Sequence, residues 1–441
     1  RVLFRSRIIA GFVFVSISVL FSVFPAQFVR EAINLIGNNI SNYHHTNSPD
    51  SKKVLYDAII RNVAWYGALI LLMALLRGVF MFMMRQTIIV VSRHIEYDMK
   101  NDIYEHYQKL SASFYNINNT GDLMNRISED VSRVRMYVGP AIMYLINMSV
   151  NFIIITSLMF SINSRLALYV LSPLPVLAFI IYKVHSVINK RSDAVQHKLS
   201  DLSTMVQEAF SGIRVLKAFA REKSFGDSFR YETENYRNIA ISLAQTNAMF
   251  FPALTLLIGL SSILTIYIGG LEVIDGHITV GNIAEFVIYV NMLTWPVASL
   301  GWVITLIQRA SASQRRINEF LLEKPEIVSP NAEPFILKGK VEFKDVRFQF
   351  VHSGITALKN FTFTLEPGKS VAFVGKTGSG KSTIANLLLR NYDVTSGEIL
   401  IDGIPIKQIN IHDLREQIGY VPQDVFLFSD TIRNNISFGS T

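Results

Sequence analysis

The sequence predicts an α-helical membrane domain with six transmembrane helices, followed by a partial α/β domain. Three observations support this fold class: six long apolar stretches, short β-rich runs after residue 340, and a glycine-rich loop between an apolar run and a helical one. Half of the 441 residues are hydrophobic and 17% are charged, whereas soluble domains carry about 25% charged residues. This balance indicates a membrane protein.

Six apolar stretches are long enough to cross a bilayer, which takes roughly 20 helical residues. They lie near Ile8–Val29, Ala64–Met84, Tyr137–Ile162, Leu166–Val187, Ala248–Gly269 and Ile283–Leu306. Helices buried in a soluble core are the alternative, but apolar stretches of that kind usually run about 10 to 14 residues.

The loops between these stretches alternate in positive charge. Arg85–Tyr137 contains seven Lys or Arg and Asn189–Asn247 contains nine, whereas Asn163–Arg165 contains one and Gly270–Gly281 none. Because loops rich in Lys and Arg stay in the cytoplasm, we predict that both long segments and both chain ends are cytoplasmic.

The two long segments are predicted to be helical extensions of the membrane helices. Glu96–Leu110 and Leu199–Phe219 have apolar residues at three- and four-residue spacing. The residues at Asn116–Asp122 and at Ser211-Gly212 are typical of turns. Simple helix hairpins are the alternative interpretation of both turns.

The soluble part begins after a charged helix at Arg309–Leu322 and a proline-containing linker. The runs Val341–Phe343, Val346–Phe350 and Phe361–Leu365 are predicted to be strands. Phe350, at the end of one run, could stack on an adenine ring or could pack in the core.

The strongest chemical signal is the run Gly375-Lys376-Thr377-Gly378-Ser379-Gly380-Lys381-Ser382, which fits the G-x-x-x-x-G-K-[ST] pattern of a P-loop. Val371–Val374 before it is a predicted strand, and Thr383–Leu389 after it is a predicted helix. Glycines let backbone N–H groups surround an anion at a helix N-terminus. Lys381 would reach the β- and γ-phosphates, and the Ser382 hydroxyl would bind Mg²⁺.

Other residues carry weaker signals. Seven polar residues in or near the apolar stretches suggest a transport pathway: Arg77, Gln86, Asn147, Asn151, Gln245, Asn247 and Asn291. Arg77 could contact an anionic substrate or pair with a carbonyl. His44 and His45 stand near Asp50, where we favour chance over a metal site. The absence of cysteine excludes thiol chemistry, and no basic run is interleaved with aromatic residues for nucleic-acid binding.

Several runs together carry a resemblance to a known family. They are Ser113-Phe114-Tyr115 with Thr120–Arg126, then Glu208–Phe219, Ile278–Asn282, the P-loop, and Ile418–Gln423. The chain resembles ATP-binding cassette (ABC) exporters with one membrane domain fused to one nucleotide-binding domain, and is most similar to bacterial lipid and multidrug half-transporters. The resemblance implies the type 1 exporter fold.

The resemblance also implies a set of site residues. ATP would be bound by Phe350, Gly375, Lys376, Thr377, Gly378, Ser379, Gly380, Lys381, Ser382, Thr383 and Gln423. Ser382 and Gln423 would contact Mg²⁺. Phe350 stands where tyrosine is more usual, and the two cytoplasmic turns match coupling helices.

The function implied is ATP-driven export or flipping of a hydrophobic or amphipathic substrate by alternating access, in a bacterial inner or plasma membrane. The partner would be a second half-transporter, in a homodimer or a heterodimer, and membrane lipids would surround it. Alternatives are an ATP-gated channel, a transporter-derived regulator, a peptide exporter, or a membrane anchor for a soluble ATPase.

The resemblance further implies domains at residues 1–323 and 339–441, with a linker at 324–338. A signature motif, a catalytic glutamate and a switch histidine are expected after Gln423, but none occurs up to Thr441. We therefore expect a longer natural protein, no catalytic residue within this sequence, and no ATP hydrolysis by these 441 residues alone.

Overall fold

The computed structural model describes residues 2–45, 49–330, 333–423 and 426–439. The chain divides into two compact units. The first unit contains residues 1–99 and 130–315, and the second contains residues 100–129 and 316–441.

The described chain up to residue 321 is almost entirely helical, and its longest helices form most of the first unit, whereas the short helices at 112–117 and 120–125 belong to the second. In chain order the helices are α1 (Val2–His45), α2 (Pro49–Lys109), α3 (Ala112–Ile117), α4 (Thr120–Asn125), α5 (Val131–Met136), α6 (Ile142–Ile162), α7 (Ser164–Leu171), α8 (Pro173–Ser211), α9 (Ile213–Ala218), α10 (Glu222–Ile274) and α11 (Val280–Leu321). Single π-helical turns at Arg126–Asp130 and Tyr137–Ala141 join α4 to α5 and α5 to α6. Among the described residues, six helical stretches are long and apolar enough to cross a membrane, which confirms the predicted number.

The helices extend far beyond the length that a bilayer requires. α2 has 61 residues, or about 90 Å at 1.5 Å per residue, whereas the hydrocarbon core is about 30 Å thick. Glu96–Leu110 and Leu199–Phe219 lie almost entirely in helices, as predicted. α8 and α10 are bridged by Lys198 and Glu232, whose charged groups are 2.9 Å apart.

Two apolar clusters hold the first unit together. One cluster joins α6, α7, α8, α10 and α11, and its fully buried members include Met159, Leu166, Phe286 and Leu293. The other joins α1, α2 and α6 around Val15 and related residues. Because most of the buried side chains here are aliphatic or aromatic, van der Waals packing supplies most of the contact energy within the bundle.

Two buried carboxylates connect helices of the first unit. Glu285 of α11 is fully buried, lies 3.1 Å from Arg30 of α1, and accepts a 2.8 Å hydrogen bond from Tyr289. Glu272 of α10 accepts hydrogen bonds from Asn163 and Arg165 at 2.9 and 3.1 Å. Removal of Arg30 would leave the Glu285 carboxylate buried without its cation, which costs about 3–5 kcal/mol.

The polar residues singled out in the apolar stretches divide into two groups. Asn151 donates to both the backbone and side-chain oxygens of Asn147, and Asn291 donates to the Val287 carbonyl, so these amides are satisfied within their own helices. Arg77, Gln86, Gln245 and Asn247 are exposed, and contact of Arg77 with a substrate stays a prediction. The side chains of His44 and His45 lie outside the described residues.

The turn at Asn116–Asp122 contains two short helices rather than a single reversal. Asn119 caps α4 by accepting a 2.9 Å hydrogen bond from the Gly121 amide. Asp122 lies inside α4 and pairs with Arg126 at 2.7 Å. In the second turn, α8 ends at Ser211 and Gly212 separates it from α9.

The second unit contains a four-stranded antiparallel sheet of order β2-β1-β3-β4. Its strands are β1 (Val341–Gln349), β2 (Thr356–Leu365), β3 (Ser396–Ile401) and β4 (Ile404–Pro405). Three further helices are α12 (Lys381–Leu388), α13 (Ile411–Glu416) and α14 (Ile432–Ile436), and a 3₁₀ turn spans Ile406–Gln408. The core of this unit is formed by Phe343, Phe348, Leu358, Leu387 and their neighbours.

Two strand predictions need correction. The runs Val341–Phe343 and Val346–Phe350 form the single strand β1, which has a register shift between Phe343 and Val346 and ends before Phe350. Val371–Val374 is not a strand, because no strand in the described part of the chain hydrogen-bonds to it. Val374 is 95% exposed. The apolar composition was correct, but a strand exists only where a neighbouring strand completes its hydrogen bonds.

The segment before β1 is tied to the sheet by Asp402. Its carboxylate accepts hydrogen bonds from the backbone amides of Lys338, Gly339 and Lys340, at 2.6, 3.3 and 2.8 Å. Burial raises the pKa of Asp402, but these amide donors lower it more, so its pKa lies below the ordinary value. The domain boundaries at 323 and 339 stay predictions.

Candidate nucleotide site

The P-loop owes its shape to its glycines. Gly378 and Gly380 have φ values of +80° and +88°, a region that side chains with a Cβ rarely adopt. A Cβ on Gly380 would lie 2.6 Å from the Ala357 carbonyl oxygen, and one on Gly375 would lie 2.6 Å from Ser379 Oγ. The motif therefore consists of residues that can form this tight loop against β2.

Lys381 is the first residue of α12, and its ammonium group folds back over the loop. Nζ lies 3.0 Å from the Gly375 carbonyl oxygen and 2.9 Å from that of Lys376. A cation is electrostatically disfavoured at a helix N-terminus, where the helix dipole is positive. Its presence there fits an anion-binding role, because a phosphate would interact favourably with both charges.

Ser382 and Thr383 complete the first turn of α12. The Thr383 amide donates to the Gly380 carbonyl at 3.1 Å. The Ser382 side chain is exposed, and its hydroxyl has no hydrogen-bond partner among the described residues. A free hydroxyl oxygen beside a phosphate-binding loop is a suitable ligand for Mg²⁺, which prefers oxygen donors. Lys376, Thr377 and Ser379 are also exposed.

Phe350 lies immediately after β1, in an aromatic cluster. Its ring contacts those of Phe348 and Tyr392 edge to face, with centroids 4.8 and 5.6 Å apart. The Phe350 amide donates to the Ile355 carbonyl at 3.0 Å, which closes the β1–β2 hairpin. The hairpin therefore places Phe350 at the same end of the sheet as Ala357, against which Gly380 packs.

A cavity of 840 Å³ lies beside Phe350 within the second unit. Its walls include Phe114 of α3, Phe320 of α11, and Phe350 and Tyr392. No residue of the P-loop is among the described residues that line it. The Phe350 ring packs against the core and also lines this cavity, and its stacking on an adenine stays a prediction.

One contact in this cavity has no counterpart among the sequence predictions. The Asn116 side-chain amide, at the end of α3, donates a 2.6 Å hydrogen bond to the Tyr392 hydroxyl. The sequence pattern predicts only a turn at Asn116 and indicates no role for Tyr392. No sequence signal could have paired them, since 276 residues separate them.

Gln423 is not brought to the P-loop by any contact in the described part of the chain. Its side chain is exposed, and residues 424 and 425 after it lie outside the described residues. The structure thus joins Phe350 to the loop through the hairpin, and places Lys381 and Ser382 on α12. The role of Gln423 stays a prediction.

Comparison with known families identifies both parts of the chain. The profile of the ABC transporter transmembrane region matches residues 8–297. The chain belongs to the ABC transporter family. A second profile, described as ABC transporter, matches residues 358–440, which include the P-loop.

Individual relatives agree with this assignment. The chain is 32% identical over 394 residues to an ATP-dependent lipid A-core flippase of Syntrophus aciditrophicus, covering 89% of this chain and 65% of the relative. It is 30% identical over 377 residues to the multidrug resistance-like ATP-binding protein MdlA of Escherichia coli, covering 85% and 64%. A probable multidrug resistance ABC transporter, YheI of Bacillus subtilis, is 34% identical over 344 residues, covering 77% and 59%. The chain therefore spans about two thirds or less of the length of these curated relatives.

The family and the six apolar helices make this protein a multi-pass integral membrane protein. Its nucleotide-binding domain lies in the cytoplasm, in agreement with the positive charge of the loops on that side. The prediction of an ABC half-transporter architecture, with membrane and nucleotide-binding parts on one chain, is confirmed.

Proposed function

We propose that the protein uses ATP to export or flip a hydrophobic or amphipathic molecule across the membrane by alternating access. The observation that carries this proposal is the P-loop, with Lys381 held at the N-terminus of α12, on the same chain as six helices able to span a membrane. The names of the relatives, a lipid A-core flippase and multidrug resistance proteins, support lipids or drugs as the substrate class.

Each site residue has a distinct part in nucleotide binding. Phe350 would stack on the adenine, and the loop amides from Lys376 to Lys381 would donate to the phosphates. The Lys381 ammonium would leave the Gly375 and Lys376 carbonyl oxygens and bind β- and γ-phosphate oxygens instead. Ser382 and Gln423 would hold Mg²⁺, which neutralises charge on the phosphates when bound.

A second half-transporter would complete the transporter. We infer that two halves, identical or different, pair with their nucleotide-binding domains facing each other across the ATP. Closure of this pair would be passed to the membrane helices through the cytoplasmic turns that contain α3, α4 and α9. This mechanism uses positioning and electrostatics, which supply most of the catalysis in phosphoryl transfer.

The first prediction tests the site with Lys381→Ala in the protein expressed from its natural reading frame. Loss of the ammonium removes the phosphate contact, so ATP hydrolysis in proteoliposomes should fall at least about 100-fold, as for other electrostatic groups that act on the transferred charge. Flipping of a nitrobenzoxadiazole-labelled phospholipid, followed by dithionite quenching, should stop as well.

Lys369→Ala is the matched control, since Lys369 is an exposed cation shortly before the loop. It should leave both rates unchanged. Turnover by the Lys381 variant at the wild-type rate would show that the P-loop is not the site of hydrolysis. Hydrolysis without movement of the lipid or of any hydrophobic dye would contradict the proposed transport function instead.

A further inference from the structure

Two cavities adjoin each other between α8 and α11 in the first unit. One has a volume of 520 Å³ and the other 410 Å³. Ala178 of α8 and Leu300 of α11 line both of them, so the two spaces meet at these residues. The described residues that line them are all separate from the nucleotide site.

The larger cavity is apolar. Its walls come from α6, α7, α8 and α11, and include Phe152, Leu174 and Pro296. Ser149 is the one polar residue among the described residues of its lining. Phe152 and Ile153 are 45% and 64% exposed, so the cavity opens at the surface of the unit.

The smaller cavity has several polar side chains in its lining, although it lies between two apolar helices. Its lining includes Tyr182, His185, Asn189 and Gln308. The His185 ring packs so closely on Gly301 that a Cβ there would lie 2.8 Å from His185 Cγ. A methyl group at position 301 would therefore displace the ring, and glycine keeps the histidine in place.

The hydrogen bonds of His185 determine which of its nitrogens can bind a ligand. Thr305 Oγ1 donates to the Gly301 carbonyl at 3.0 Å. Since a hydroxyl has one proton, Thr305 must accept from His185 Nε2–H, also at 3.0 Å. In a neutral ring, Nδ1 is then an acceptor. The cavity thus presents an imidazole acceptor together with a phenol and two amides.

Charge separates the possible ligands. Within the part of the chain that the structure describes, no Asp, Glu, Lys or Arg lines either cavity. An anionic head group such as a phosphate would lose its hydration without gaining a cation, which is strongly unfavourable. A hydroxyl or amide head group could exchange its water for the side chains around His185 at little cost.

We propose that the adjoining cavities form one binding site for an uncharged amphiphile, with its apolar chain beside Phe152 and Leu174 and its hydrogen-bonding head at His185. This inference rests on the proposed function, because it names the class of molecule that the protein carries. The site lies within a single chain and binds its ligand without ATP.

The test is photolabelling of the reconstituted natural protein with a dodecanol that carries a diazirine in its chain. Mass spectrometry should locate adducts on the walls of the apolar cavity, on α6, α8 or α11. Unlabelled dodecanol should compete, whereas dodecyl phosphate, which has the same chain, should not. Equal competition by the phosphate would overturn the proposed preference for an uncharged head.

Two variants test the location. Ala178→Phe fills the junction and should reduce labelling about tenfold, whereas Val176→Phe, at an exposed position on the same helix, should leave it unchanged. His185→Ala should weaken competition by dodecanol roughly two- to tenfold, as expected for one lost hydrogen bond. If Ala178→Phe fails to fold, the His185 variant and the comparison with dodecyl phosphate still test whether the site exists.

The possible outcomes separate this proposal from the proposed function. Labelling that is equal in wild type and folded Ala178→Phe, together with unchanged competition by dodecanol in His185→Ala, would mean contact with bulk bilayer only, and would overturn the site. Selective labelling in a protein that shows no ATP hydrolysis would leave the site standing and contradict the transport proposal. Stimulation of ATP hydrolysis by dodecanol, lost in Ala178→Phe, would support both.

Discussion

Gly380 shows how a single residue shapes the nucleotide site. It combines a φ of +88° with a position where a Cβ would lie 2.6 Å from the Ala357 carbonyl oxygen. Left-handed backbone costs an ordinary residue about 1–2 kcal/mol, and the close contact adds to that cost. The loop and β2 could not approach each other with any other residue here.

We therefore predict that Gly380→Ala lowers both stability and nucleotide affinity. The free energy of unfolding should fall by at least about 1–2 kcal/mol, and a fluorescent ATP analogue should bind more weakly. Gly419→Ala is the control, since nothing lies within 4 Å of the position that its added methyl group would occupy and its φ is not positive. An unchanged Gly380 variant would show that the loop can relax away from β2.

Phe350 is the residue at which stacking and packing can be separated. Phe350→Ala should weaken ATP binding by about 1–3 kcal/mol, the range for stacking of a base on an aromatic ring, whereas Phe350→Tyr should be nearly neutral. Phe350→Leu keeps apolar contact with Phe348 and Tyr392 but lacks a π-face. Isothermal titration with ATP measures all three.

The leucine variant gives the decisive comparison. If Phe350 stacks on the adenine, leucine should bind ATP almost as weakly as alanine while it melts close to wild type. Leucine with wild-type affinity, together with an alanine variant of lowered melting temperature, would instead assign Phe350 to the core alone.

At the scale of elements, α3 is joined to the aromatic cluster of the nucleotide site. Asn116 donates to the Tyr392 hydroxyl, and the Tyr392 ring contacts that of Phe350. Ser113 of α3 also donates to the Glu326 carboxylate in the linker. A change around Phe350 would therefore reach α3 through Tyr392 and Asn116.

We predict that Asn116→Ala uncouples α3 from the aromatic cluster around Phe350. Basal ATP hydrolysis should stay the same, but its stimulation by substrate should fall roughly two- to tenfold, the effect of one net hydrogen bond. Tyr392→Phe keeps the ring and should lose stimulation to the same extent. The double variant should be no worse than either, since both remove one bond.

Asn101→Ala, an exposed position on α2, is the matched control and should behave as wild type. Full stimulation in the Asn116 variant would mean that α3 and α4 form only a helix hairpin, which is the alternative interpretation of this turn.

At the scale of the whole molecule, exposed apolar side chains cover the long helices. Leu71, Leu75 and Ile263 are 71%, 67% and 64% exposed. Such continuous apolar surface would cause aggregation in water, but in a bilayer it is the surface that the lipid covers. The composition of these helices reflects two environments, the helix bundle inside and the hydrocarbon outside.

The orientation of the molecule can be tested because the sequence contains no cysteine. Asp275→Cys lies in the short loop between α10 and α11, and Lys407→Cys lies in the nucleotide-binding part; both positions are exposed. A membrane-impermeant maleimide should label the first in intact cells and the second only after permeabilisation. The opposite pattern would contradict the predicted topology.

The sequence by itself determined the membrane helices, the orientation and the P-loop. Each of these depends on local composition: apolar length, the placement of Lys and Arg, and glycines followed by Lys381 and Ser382. A helix satisfies its own backbone hydrogen bonds, so a local pattern is sufficient to predict it. The same holds for the P-loop, whose anion site is built from consecutive amides.

Only the tertiary structure decided what depends on distant partners. Val371–Val374 has the composition of a strand but is not one here, because a strand needs a neighbour to complete its hydrogen bonds. The Asn116–Tyr392 bond and the pairing of the two cavities around His185 join residues that are far apart in sequence. Contacts of this kind arise from the packing of whole elements, and no local pattern encodes them.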